Sequence, residues 1–197
     1  MTSSGRHGLA MLAALAALGG EVLAQDQAQV VIDRGLTEDL PYTAIYPNVL
    51  HSVDDGSPVT ILTLRHPEVP LQCDAFAVAG AGAGWSAEAA LRKLDVAGIE
   101  ATWAPDFPGF RIVSHSVTRF ASGPALLYEG ESDNSPLGIP LRIVHAEAVD
   151  AGRTYAIECL MEKSIAADAR PLIDFFIANF STRSDGQCCI NPADERG

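Results

Sequence analysis

Residues 139–182 read IPLRIVHAEAVDAGRTYAIECLMEKSIAADARPLIDFFIANFST, and this stretch decides the fold. From 141 to 149 the side chains alternate, with Ile143, His145, Glu147 and Val149 on one side and Arg142, Val144, Ala146 and Ala148 on the other. That is the period of a strand. Asp150-Ala151-Gly152 tolerates a tight reversal, and 153–161 continues with Tyr155, Ile157, Cys159 and Met161 sharing a face, so a β-hairpin is expected. Beyond Ser164, apolar residues at Ile165, Ala169, Leu172, Ile173, Phe176, Ile177 and Phe180 trace one stripe of an α-helix. Pro171 is tolerated only in a first turn, which places the helix start near Asp168 as N-cap, with a separate turn before it. Burying each large apolar side chain of the stripe contributes about 1.5–3 kcal/mol, and a lone hairpin beneath it would be marginal. The earlier strands must therefore widen the sheet.

Working outward, 42–52 is extended but interrupted by Pro47, 59–64 (VTILTL) is a strand, and 73–79 (CDAFAVA) is a third. The GAGAG link at 80–84 precedes a helix capped by Ser86, with Ala87, Ala90, Leu91 and Leu94 on its buried stripe and Gly98 as its stop. ATWAPDFPG (101–109) reads as a structured loop, while 110–120 and 124–131 read as a strand pair. The order β-β-β-α-β-β-β-β-α predicts an α+β fold, an antiparallel sheet with helices packed on it.

At the amino end, Arg6 and His7 precede an apolar run over 9–18, and Val22-Leu23-Ala24 closes it as a signal-peptidase site before Gln25. We expect a cleaved signal peptide at 1–24, a lead-in at 25–39, one α+β domain at 40–182 and a polar, cysteine-containing tail at 183–197. The expected product is periplasmic or secreted, with no membrane insertion after cleavage. The chain of 197 residues has 13 basic and 25 acidic residues; removal of 1–24 takes one of each, leaving 173 residues and a net charge of -12. Such a chain repels phosphate backbones and anionic lipid, so no nucleic acid is expected among its partners. A basic docking partner remains compatible with it.

Four cysteines, Cys73, Cys159, Cys188 and Cys189, lie in the exported part, where disulfides persist. We expect structural staples from Cys188 and Cys189 to Cys73 and Cys159. Pairing Cys73 with Cys159 is the other structural option, and it leaves the adjacent pair as a vicinal disulfide or a thiolate site for a soft metal. His51, His66, His115 and His145 form no close metal motif. A copper or zinc site would draw on His115, His145, Cys188 and Cys189, gathered across strands. His145 and Glu147 share a strand face, and an enzyme with a dispersed site would need a carboxylate gathered to His115 or His145. Gly82-x-Gly84-x-x-Ala87 matches a loose dinucleotide fingerprint, but the antiparallel pattern downstream lacks the crossover it requires. Asp54-Asp55 sits in a turn, and Ser86 lacks the second glycine of a nucleophile elbow.

The layout PALLYEGES, then PLRIVHAEAVDAGRTYAIECLME, then a helix ending IANFST resembles the PsbP-like superfamily, which includes the extrinsic photosystem protein and the Ran-binding Mog family. The resemblance covers about residues 40–182 and implies an α/β/α sandwich around an antiparallel sheet. It also implies an accessory or assembly role with no catalytic motif. Apart from the resemblance, no cofactor is expected, with copper or zinc as the alternative. The expectation for function is an exported, non-enzymatic module docking on another periplasmic or membrane protein. The alternative is a metal or thiol-redox accessory protein using Cys188-Cys189 and histidines.

Overall fold

The hairpin read from the sequence forms the middle of a seven-stranded sheet. The computed structural model describes residues 29–35, 40–54, 56, 57, 59–80, 84–136 and 138–189. The expected signal peptide and part of the lead-in lie outside the described residues, as do Asp55, 81–83 of the glycine link and 190–197 of the tail. In chain order the strands are β1 (Val30–Gly35), β2 (Tyr42–Pro47), β3 (His51–Val53), β4 (Thr60–Arg65) and β5 (Leu71–Ala79). Helices α1 (Ala87–Arg92) and α2 (Val96–Trp103) follow, then β6 (Arg111–Phe120), β7 (Gly123–Ser132), β8 (Leu141–Asp150) and β9 (Arg153–Glu162). A 3-10 turn, Lys163–Ile165, leads into α3 (Ala166–Ala178), and β10 (Phe180–Ser181) closes the order.

The large sheet runs β3-β4-β5-β9-β8-β7-β6, with neighbours antiparallel throughout, and the small sheet runs β1-β2-β10. Alternation on β9 is clean: Tyr155, Ile157, Cys159 and Met161 are buried, while Ala156, Glu158 and Leu160 between them are half-buried. The buried set shares its face with Val144, Ala146 and Ala148 of β8 and Leu71, Cys73, Ala75 and Ala77 of β5. This inner face is covered by α3 and the small sheet. Ala169, Ile173, Phe176 and Ile177 supply the helix stripe, Tyr42, Ala44 and Tyr46 supply β2, and Phe180 packs edge-on against Phe120 and Phe176. The α+β class follows directly from this arrangement.

Several expectations about the elements are revised. α3 starts at Ala166 rather than at an Asp168 cap, because the 3-10 turn runs straight into it; Asp168 sits in its first turn. Pro171 therefore falls inside the helix, where its ring removes one backbone bond. Gly98 does not stop the first helix, which ends at Arg92. Asp95 starts a second one by accepting the Gly98 N–H at 3.0 Å, and a side chain at 98 would collide with that carboxylate. The expected loop at 101–109 thus begins as the last turn of α2. Residues 30–35 of the lead-in form β1, an edge strand on β2. The start of the tail is tied down too: the Thr43 hydroxyl donates to the Arg183 carbonyl at 2.7 Å and accepts from the Gly186 N–H at 3.1 Å.

The cysteine pairing is also corrected. Cys73 bonds Cys159, and Cys188 bonds Cys189, so the tail is not stapled to the core. The reason lies in the register. Cys73 and Cys159 face each other directly across β5 and β9, with Cα atoms 4.0 Å apart, inside the core cluster.

Candidate functional site

The other face of the large sheet is covered unevenly. α1 packs on β6 and β7, and α2 packs on β6. The loop after α2 brings Trp103, Phe107 and Phe110 together, with Phe110 against Gly130 of β7 and the Trp103 Nε1–H donating to the Tyr128 hydroxyl at 3.3 Å. Over β9, β5 and β4 the outer side chains remain partly open to solvent: Leu160, Glu158 and Ala156, then Gln72 and Phe76, then the exposed Arg65. Val78 beyond them is 51% exposed.

Register lays one continuous row across this face. His115 of β6 stands opposite Tyr128, Tyr128 opposite His145, His145 opposite Glu158, Glu158 opposite Asp74, and Asp74 opposite Thr63. His145 stacks on the Tyr128 ring, centroids 4.4 Å apart and planes 13° from parallel. Its Nδ1 meets Glu158 Oε1 at 3.0 Å and its Nε2 meets Glu147 Oε2 at 3.4 Å. Burial alone would push the ring's pKa down, but hydrogen bonds and charge from Glu147 and Glu158 outweigh it and hold the pKa above its ordinary value. Tyr128 is shifted up chiefly by its own burial. Further along, the Thr63 hydroxyl donates to Asp74 Oδ1 at 2.7 Å, the Gln72 amide donates to Asp74 Oδ2 at 2.7 Å, and Arg65 Nε donates to Gln72 Oε1 at 2.8 Å.

These acids differ from those on the inner side. Glu131 is enclosed by Arg111, Arg142 and Lys163, and the Lys163 hydrogen bond leads the effects that hold its carboxyl below the usual range. Arg170 and Arg142 share Glu129. Those pairs fasten the start of α3 to the sheet. The outer band sets two partly exposed glutamates against one histidine, so it carries surplus negative charge.

The structure brings His145 together with a carboxylate, as the sequence pattern at His145 and Glu147 allowed, and adds Glu158. Both ring nitrogens of His145 are engaged by carboxylates, an arrangement that favours the protonated ring over one with a lone pair turned to a metal. His115 is exposed on edge strand β6, and His51 is exposed on β3. His66 lies in the loop after β4, its Nδ1 accepting the Glu68 N–H at 3.1 Å. Among the described residues, no group of three or more His, Cys, Asp or Glu side chains is placed to hold a metal ion. Ser86 caps α1, its Oγ accepting the Ala89 N–H at 3.2 Å, and Asp54 accepts the Gly56 N–H in its turn at 2.9 Å. The glycine fingerprint lacks its parallel crossover, since β5 and β6 lie at different places in a wholly antiparallel sheet. Asp74 and Tyr128 escape sequence reasoning because only long-range register brings them into the row. Glu158 was within reach, because a two-residue turn fixes it opposite His145.

No protein-family model and no curated protein matches the chain. Solved structures do. The fold is similar to that of cyanobacterial PsbP (CyanoP) from Synechocystis sp. PCC 6803, at 14% identity over 84% of this chain and 97% of that one, TM-score 0.51. LpqN, involved in cell envelope biogenesis of Mycobacterium tuberculosis, aligns at 12% identity over 80% of this chain and 86% of its own, TM-score 0.49. The Ran-binding protein Mog1p of Saccharomyces cerevisiae aligns at 7% identity over 72% and 83%, TM-score 0.45. The chain thus has the PsbP-like fold expected from its back half. No helix among the described residues is long and apolar enough to cross a membrane.

Proposed function

We propose that the chain is an exported, non-enzymatic docking or assembly module that binds another exported or membrane protein through the outer face of β9, β5 and β4. The observation that carries this reading is the uneven cover of that face: aromatic and helical elements pack at the β6–β7 end, while Leu160, Glu158, Ala156, Gln72 and Phe76 stay partly open. Mixed apolar and charged side chains on a rigid sheet suit a protein interface, in which a few apolar anchors are ringed by polar contacts. The net charge of -12 and the surplus of the Glu147–Glu158 band favour a partner with basic groups. Export is supported by the leader sequence and is consistent with the Cys73–Cys159 bond. A non-enzymatic role is supported by the engagement of both His145 nitrogens by Glu147 and Glu158, which commits the one buried histidine among the described residues to contacts within the sheet.

Native mass spectrometry of the protein, isolated without reductant from the exported fraction of its host, tests the reading. The expected result is a stoichiometric protein partner that is lost when Glu158 and Phe76 are replaced by Lys and Ala. A partner-free protein carrying copper or zinc, with Cys188 and Cys189 reactive to a thiol label, would overturn it in favour of the metal or thiol accessory role.

A further inference from the structure

At one end of the open face, between the loop joining β4 to β5 and the segment entering β8, lies a hollow of about 300 Å³. Its apolar wall is Val69, Pro70, Leu71, Ile139, Leu141 and Leu160; Arg65, His66 and Gln72 complete the lining. Leu141, on the same sheet face as Leu160, is buried beneath it. The volume is at the small end for ligand sites, room for one large side chain rather than an extended molecule.

The polar part of this hollow is held in place. Asp74 is buried and takes hydrogen bonds from Thr63 and from the Gln72 amide nitrogen. With its nitrogen committed there, Gln72 must present its carbonyl oxygen, and Arg65 Nε donates to it. The chain Thr63–Asp74–Gln72–Arg65 therefore fixes one edge of the guanidinium and leaves its Nη edge to meet an acceptor. His66 receives the Glu68 N–H on Nδ1, which puts the ring proton on Nε2 as a second donor. The lining contains no acid, although the chain as a whole is strongly acidic. A fixed arginine above an apolar hollow is suited to a carboxylate attached to an apolar group, which an arginine can grip through two N–H donors.

We infer that this hollow receives the C-terminal residue of a partner polypeptide, with a large apolar side chain in the hollow and its α-carboxylate on Arg65 and His66. The inference rests on the docking reading for the choice of a polypeptide; the carboxylate and the apolar anchor come from the lining itself. Gln72 acts as a positioning residue, through Arg65.

The test is an NMR titration of the isotope-labelled full chain with three probes: N-acetyl-Ala-Val-Leu with a free carboxylate, the same tripeptide as its C-terminal amide, and octanoate. The free acid is expected to shift the Leu141 and Leu160 methyl signals and to bind about tenfold more tightly than the amide. Arg65→Gln should abolish that preference while leaving the signals of residues far from the hollow unchanged. Gln72→Ala should reduce the acid-to-amide ratio. Equal binding of acid and amide, or no methyl shifts with either at millimolar concentration, would overturn the inference. Tighter binding of octanoate than of the tripeptide acid would also overturn it, replacing the peptide with an amphiphile. Arg65→Gln in the native mass-spectrometry experiment separates the two readings. A partner that stays bound to that variant preserves the docking module and removes this hollow from its interface, whereas loss of every protein partner from the unsubstituted chain removes the docking module itself.

Discussion

His145 sits inside an antiparallel sheet with Glu147 and Glu158 at one ring nitrogen each and the Tyr128 ring flat against it, surroundings that favour its protonated form. In the unfolded chain the imidazole titrates near its ordinary value of 6.5; in the fold that value is raised. Between the two, the folded protein binds a proton that the unfolded chain does not. The stabilisation is therefore complete below the unfolded value and fades as pH climbs through the folded one. His145→Phe, which keeps a ring on Tyr128 but removes both donors, should cost about 2 kcal/mol in urea denaturation near pH 5. The difference from the unsubstituted protein should narrow as pH rises above 6.5 and through the raised folded value. A gap that widened with pH would mean that the neutral ring, not the imidazolium, is the form the fold favours. The sequence showed His145 and Glu147 two residues apart on one face, which is half of this arrangement. Tyr128 and the aromatic cap over it were not legible, since β7 reaches His145 only through a ladder that local pattern does not specify.

The hairpin between β8 and β9 shows how a short element sets long-range geometry. Ala151 and Gly152 have φ of 49° and 76°, the left-handed pair that a two-residue turn between twisted strands demands. That turn pairs Asp150 with Arg153, and from there every pair follows, including Val144 with Cys159 and His145 with Glu158. Alanine is a poor occupant of the first position, because its Cβ crowds the backbone there. Ala151→Asn should raise stability by about 1 kcal/mol with the same spectrum, and Gly152→Ala should lower it by a similar amount. Denaturant midpoints of the two variants moving in the same direction would contradict the turn geometry. The hairpin was legible in the sequence because alternation and turn residues are local. The split into α1 and α2 was misread because Gly98 looks like a stop, when its missing side chain serves the Asp95 cap. Asp95→Ala should therefore weaken α2 by about 1 kcal/mol, and through Trp103 loosen the cap on Tyr128, seen as increased tryptophan exposure to a fluorescence quencher.

For the whole molecule, the decisive tie joins the two halves of the chain. β5 comes before both outer helices and β9 comes after β8, yet they are neighbours at the centre of the sheet, so α1 to β8 form one long excursion between them. Sequence reading could propose a strand at 73–79 and another at 153–161, but not that they pair, because no local pattern reports a contact between residues so far apart. Nor could four cysteines choose their partners until that pairing placed Cys73 opposite Cys159. The bond closes a separation of 86 residues and sits in the core. In the chain-entropy view, a loop of that length makes a disulfide contribute about 4.6 kcal/mol by restricting the unfolded chain. The ladder beside it remains when the sulfurs are removed, so the fold should persist at reduced stability. The double substitution of Cys73 and Cys159 by Ala is expected to lower the unfolding free energy by about 2–5 kcal/mol, a large share of a typical domain's total. The unsubstituted protein unfolded with a strong reductant should approach the same value, because the bond becomes accessible once the core opens. If instead reductant destabilised the double variant as much as the parent, the loss would come from Cys188–Cys189 and not from the bond in the core.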